Sequence, residues 1–210
     1  MKPSMRQEVK PINSIYNNIP DNLEMVKTGY NTMTQGGNMF FFKKRNESPE
    51  AVLKEVEERL QRGRDFTMHG QGNEAEKEFL KCLSILEPLS RKSESPIVDQ
   101  ELAKTYDMLC LMCLGKNTIK TKQADGVAYG KKAVEIRKKL VAQNPTVDAL
   151  DKLAYSYSNL GYAEGDFVAG NQALKIWEDL QKRFPTDPMF AKRVEDQKKL
   201  LKQLASEYGI

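Results

Sequence analysis

The chain has 210 residues, of which 40% are hydrophobic and 30% charged, with a net charge of +4 and a mean hydropathy of −0.62. No apolar run approaches the roughly 20 residues that a membrane span requires, and the opening MKPSMRQEVKPINSIYNNIP lacks the continuous apolar block of a secretory signal. The composition argues against a membrane protein and matches a charge-rich helical array, expected to reside in the cytoplasm.

Residues 1–47 differ from the rest. They carry Pro3, Pro11, Pro20 and the pair Gly36-Gly37 among many Asn, Thr and Ser, with no sustained 3.6-residue pattern, and read as a flexible or irregular N-terminal arm. Within the arm, Met39-Phe40-Phe41-Phe42 abuts Lys43-Lys44-Arg45. Three adjacent phenylalanines do not stay in water. They pack on the protein's own first helix, the favoured reading, or dock on a partner.

The helical domain is expected over residues 48–210. Ser48-Pro49-Glu50 supplies a hydroxyl cap, a proline at the first helical position and an acid in the first turn. Val52, Leu53, Val56 and Leu60 follow at helical spacing. After a break at Gly70-Gln-Gly72-Asn73, a second helix carries Ala75, Phe79, Cys82, Leu83 and Leu86 and is expected to end near Pro88. Ser95-Pro96-Ile97 opens a third, with Leu102, Ala103, Tyr106, Leu109 and Cys113 on its apolar face and Gly115 closing it. KNTIKTKQADG reads as a lysine-rich loop before the helix of Ala133, Ile136 and Leu140. Pro145 and Asp148 begin the next helix, Gly165-Asp166 turns into that of Ala173, Ile176, Trp177 and Leu180, and Thr186-Asp187-Pro188 starts a last, lysine-rich one. The pattern predicts seven helices and no strand.

The sequence AVEIRKKLVAQNPT at 133–146 returns forty residues later as ALKIWEDLQKRFPT at 173–186. Ala133 falls on Ala173, Ile136 on Ile176, Leu140 on Leu180, Pro145 on Pro185, and upstream Gly130 on Gly170. What repeats is small or apolar, so packing is copied while the surface varies.

These helical pairs resemble tetratricopeptide (TPR) repeats over residues 48–190. The first pair carries the resemblance in Gly63, Phe66, Gly70, Ala75, Phe79, Cys82 and Leu83. The second keeps Tyr106, Leu109, Ala133-Val134 and Pro145 around a lysine-rich insert; the third keeps Leu160-Gly161, Gly165-Asp166-Phe167, Ala173-Leu174 and Pro185 and is about three residues short. The resemblance implies an all-α, right-handed superhelix of three helical hairpins with a C-terminal capping helix. It also implies a concave groove that binds a protein or peptide through the first helix of each hairpin. Its non-core positions are Arg64 and Thr67, then Lys104 and Asp107, then Tyr155, Ser158, Asn159 and Tyr162. Tyr155 and Tyr162 are the strongest anchors among them. Arg64, Lys104 and Asn159 partly echo the set with which some family members clamp a C-terminal carboxylate, but Asp107 would oppose an anion.

Charge separates the remaining readings. Residues 48–210 balance twenty-six Lys/Arg against twenty-five Asp/Glu, which argues against a broad nucleic-acid footprint. Between Lys116 and Gln143 lie Lys116, Lys120, Lys122, Lys131, Lys132, Arg137, Lys138 and Lys139 against Asp125 and Glu135, a local basic patch read as a solvated face or, alternatively, as a weak site for an acidic partner or nucleic acid. No nucleophile–base constellation, phosphate loop or cofactor motif can be named, so neither catalysis nor a cofactor is expected. Cys82, Cys110 and Cys113 sit among apolar neighbours and read as buried thiols, the CxxC of Cys110 and Cys113 included. The alternative class is a self-associating module in which the Phe40–Phe42 arm docks into a second copy.

Overall fold

A computed structural model describes residues 49–93, 95–113, 120–165 and 167–208; the arm of residues 1–47, Ser48, Gly115 and Lys116 lie outside the described residues. The chain divides into two units, Met1–Ala51 and Val52–Ile210, and the second holds the helical domain. The described residues form α-helices and no strand: α1 (Pro49–Met68), α2 (Gly72–Ser93), α3 (Pro96–Met112), α4 (Lys120–Gln143), α5 (Val147–Glu164), α6 (Phe167–Arg183) and α7 (Pro188–Tyr208).

The boundaries follow from local chemistry. Ser95 sits extended before Pro96, which occupies the first turn of α3, where a missing N–H costs nothing. Thr146 caps α5 by accepting the Ala149 N–H on its hydroxyl at 3.1 Å. Gly165, at φ 64°, closes the same helix by returning its N–H to the Gly161 carbonyl. Asp187 accepts the Met189 N–H at 2.9 Å and starts α7.

Two boundaries differ from the expectation. α2 runs through Pro88 to Ser93 instead of ending there. Pro88 and Ser84 both lie on the exposed face, so the carbonyl that proline leaves without its N–H donor is open to water. α4 starts at Lys120, so most of the lysine-rich segment read as a loop is helical. Gly126 is the misleading signal. A Cβ there would lie 2.6 Å from the Cys113 Cβ and 3.3 Å from the Cys110 carbonyl oxygen. Its role is close approach of α4 to α3, not chain reversal.

Each helix packs on the next in chain order from α2 to α7, and α3 also touches α5 while α5 touches α7. α1 joins α2 where Gly63 lies against the Phe79 ring, with Arg59 and Arg62 both reaching Glu78 at 3.1 Å. The repeated sequence does the same work twice. Ala133 and Ala173 are fully buried, and Leu140 and Leu180 are buried with them. Gly130 lets the Cys110 Sγ and Leu160 Cδ1 come within 3.1 and 3.2 Å of the position a Cβ would take, and Gly170 lets Leu201 Cδ2 come within 2.7 Å. One core gathers Val134, Leu153, Leu160 and Ala169 between α4, α5 and α6; the next gathers Ala154, Ala173, Trp177, Leu180, Phe190 and Val194 between α5, α6 and α7.

A Cβ at Gly63 would fall 2.4 Å from Cε1 of Phe79, whose ring is 1% exposed and cannot swing away. Gly63→Ala is therefore expected to lose about 1–3 kcal/mol of stability, against a helix-propensity gain of about 1 kcal/mol. In urea unfolding, Gly63→Ala/Phe79→Leu should lose less than the two single losses added together.

Candidate functional site

α1, α3 and α5 carry all eight residues expected to face a ligand, and the structure sorts them by access. Arg64 is half-buried and hydrogen-bonds Gln61 on its own helix. Thr67 turns its hydroxyl onto the Gly63 carbonyl at 2.8 Å. Lys104 is half-buried and pairs with Glu101 at 3.4 Å. Ser158 donates to the Gln197 side-chain carbonyl oxygen at 2.6 Å, and the Gln197 side-chain nitrogen donates to the Gly170 backbone carbonyl at 3.0 Å, so α5, α7 and α6 are tied through one side-chain amide. Tyr155 is half-buried with the Arg193 guanidinium 5.6 Å above its ring, and burial pushes its hydroxyl up to about 12. Tyr162 remains half-buried, its hydroxyl also raised, by burial and by the Glu207 carboxylate.

Asp107 and Asn159 are corrections. Expected at solvated positions, they are 3% and 6% exposed and belong to a buried polar cluster. Ser156 donates to Asp107 at 2.9 Å, and the Arg137 guanidinium stands 4.0 Å away, also buried. Asp107 Oδ1, Arg137 Nε and the Asn159 amide nitrogen have no hydrogen-bond partner among the described residues. Burial lifts the Asp107 carboxyl to about 6, overcoming the opposing pull of Arg137 and of the Ser156 hydroxyl. Arg137, one of the basic patch by sequence, is thus a core residue. Its register is the available signal, since it occupies the position of Trp177 in the repeated phrase. Both face a carboxylate on a neighbouring helix, Trp177 Nε1 donating to Asp151 at 2.7 Å and the Arg137 guanidinium standing 4.0 Å from Asp107.

The basic patch is partly neutralised. Lys131 pairs with Glu164 at 2.7 Å, Lys132 with Glu87 at 3.5 Å while lying 5.0 Å over the Tyr106 ring, and Lys139 with the buried Asp99 at 3.0 Å. Lys116 and the side chains of Lys120 and Lys122 lie outside the described residues. Cys82, Cys110 and Cys113 are all buried, the core position expected of them. Burial raises Cys82 to about 12 and Cys110 higher still, the opposite of what a redox thiolate needs. No helix among the described residues is long and apolar enough to cross a membrane.

With known proteins for comparison, no protein-family model matches the chain, and no curated protein matches its sequence.

Two measurements check this geometry. Asp107 takes up its proton near pH 6 in the folded state and near 3.8 in the unfolded one, so the folded state holds the extra proton between these values. Stability should fall as pH rises through that window, by about 1–3 kcal/mol, and the fall should vanish in Asp107→Asn. A thiol reagent should modify Cys82 and Cys110 slowly in the native protein and fast in denaturant, whereas rapid native labelling of either would place it at the surface.

Proposed function

We propose that the chain is a non-catalytic protein-binding module of tetratricopeptide type. In this reading its hairpins α1–α2, α3–α4 and α5–α6 stack as a right-handed superhelix with α7 as the cap, and a peptide or protein segment lies along the face made by α1, α3, α5 and α7. The observation that carries the reading is the contact between alternate helices, α3 with α5 and α5 with α7. Such a row of first helices is what a hairpin array turns toward its ligand. The repeated packing residues support it further, because Gly130 and Gly170 and Ala133 and Ala173 hold equivalent places in successive hairpins.

Burial narrows the recognising set. Asp107 and Asn159 drop out, which leaves Arg64, Thr67, Lys104, Tyr155, Ser158 and Tyr162, with the exposed Gln100 beside Lys104. Loss of Asp107 from the surface also removes the carboxylate that would have repelled an acidic ligand. Arg64 and Lys104 then favour a segment with acidic side chains, and the half-buried tyrosines favour one with apolar residues between them.

The test is selection from a displayed random-peptide library with the full chain as bait, followed by affinity measurement on variants. Lys104→Ala and Tyr162→Ala should each weaken the selected peptides about tenfold or more. Lys175→Ala, exposed on α6, should leave them unchanged. Peptides that ignore Lys104 and Tyr162 and depend on Lys175 would refute the groove.

A further inference from the structure

A cleft of about 150 Å³ opens where the first turns of α3 and α5 meet the end of α4, lined among others by Gln100, Arg137, Asn144, Thr146, Asp148 and Lys152. That volume holds several waters, or one small ion with part of its hydration. The cleft shares Gln100 with the row proposed for peptide recognition, while its charged residues Arg137, Asp148 and Lys152 lie outside that row.

Arg137 is the first reason to expect a ligand. It is 5% exposed and permanently charged, yet its nearest carboxylate, Asp107, stands 4.0 Å away, Glu101 and Asp148 act on it only from further off, and its Nε has no hydrogen-bond partner among the described residues. A buried guanidinium is ordinarily saturated by two or more acceptors. The Asp107 Oδ1 is likewise without a partner, so at 4.0 Å the pair saturates neither group, and Arg137 borders a cleft.

The second reason is the start of α5. Thr146 takes the Ala149 N–H on its hydroxyl and the Leu150 N–H on its carbonyl, which leaves the first-turn N–H groups of Val147 and Asp148 without a helical acceptor. Their partial positive charge adds to that of Arg137. Lys152, one turn further along α5, contributes an ammonium at the rim.

Asp148 sets a limit on affinity. Its carboxylate borders the same cleft and holds Lys152 at 2.7 Å, although both side chains are exposed, at 69% and 41%. An incoming anion has to take Lys152 from Asp148, so the two compete for one ammonium.

We propose that this cleft binds a small oxyanion, phosphate or carboxylate, between the Arg137 guanidinium, the Lys152 ammonium and the first turn of α5. The guanidinium supplies the planar pair of donors that matches either group.

The experiment is a titration of the isotope-labelled full chain followed by ¹H–¹⁵N NMR, including the Arg137 Nε–H resonance, with inorganic phosphate in one arm and acetate in another. Sodium chloride at matched ionic strength is the reference. The expected result is a saturable shift of Arg137 Nε–H and of the Asp148 and Ala149 amides, with at least one of the two oxyanions and without chloride. Phosphate alone saturating assigns a phosphate site, acetate alone a carboxylate site. Lys152→Met should weaken binding several-fold and Asp148→Asn should strengthen it. Both positions are exposed, so an otherwise unchanged spectrum verifies that the fold is kept. Shifts that fail to saturate, that chloride reproduces, or that neither substitution alters would overturn the proposal.

Discussion

A helix that is apolar on two flanks cannot be satisfied by one neighbour, and that constraint governs the described domain. α3 and α5 are the extreme cases. Val98, Leu102, Ala103, Tyr106, Met108, Leu109 and Cys110 bury nearly the whole circumference of α3, so it needs α2 on one side, α4 on another and α5 on a third. Fully burying a large apolar side chain is worth roughly 1.5–3 kcal/mol, and an isolated hairpin forgoes it on every flank it leaves open. Small residues then decide how near the neighbours come. At Gly63, Gly126, Gly130 and Gly170 the facing side chain or backbone occupies space that any Cβ would contest. These glycines set interhelical distance, and the large residues beside them fill what remains.

Apolar contacts fix distance but leave sliding cheap, and a second layer of polar ties fixes register. Glu78 joins α1 to α2, and Asp99 accepts from Lys139 across α3 and α4. Asp107 receives Ser156 across α3 and α5, Asp151 receives Trp177 across α5 and α6, and Gln197 links α7 to both α5 and α6. Most of these acceptors are buried or half-buried, so a shift by one residue would strand a polar group without water. The Asp107–Arg137 pair is the exception in quality. At 4.0 Å it is looser than the others, and it leaves the Nε of Arg137, a residue that lines the adjoining cleft, without a partner.

Periodicity and caps carry most of the architecture. Pro96, Thr146, Gly165 and Pro188 mark ends that local chemistry alone determines, and the recurrence of Ala133 at Ala173 and Leu140 at Leu180 signals shared burial. Gly126 and Pro88 mislead for one reason. Glycine and proline are read as breakers, whereas here glycine serves close packing and proline sits where water replaces its lost donor. The residues proposed for recognition are less legible. Whether Asp107 and Asn159 face water depends on how α3, α4 and α5 pack, which the sequence of one helix does not encode, and Arg137 looks like any other surface arginine until those helices are in place. Arg64, Lys104 and Tyr162 are partly accessible, as their helix phase off the apolar stripe implies without any knowledge of the neighbours.

A domain held together by neighbours in chain order has a particular energetic signature, since the middle elements are supported on both sides and the last only on one. Native-state hydrogen exchange, resolved helix by helix at increasing denaturant, reads it directly. The highest opening free energy is expected in α3, α4 and α5, a lower one in α6, and the lowest in α7, which opens while the middle stays closed. A single opening free energy shared by α3 through α7 would mean that the helices depend on one common core, and would contradict the stacked arrangement.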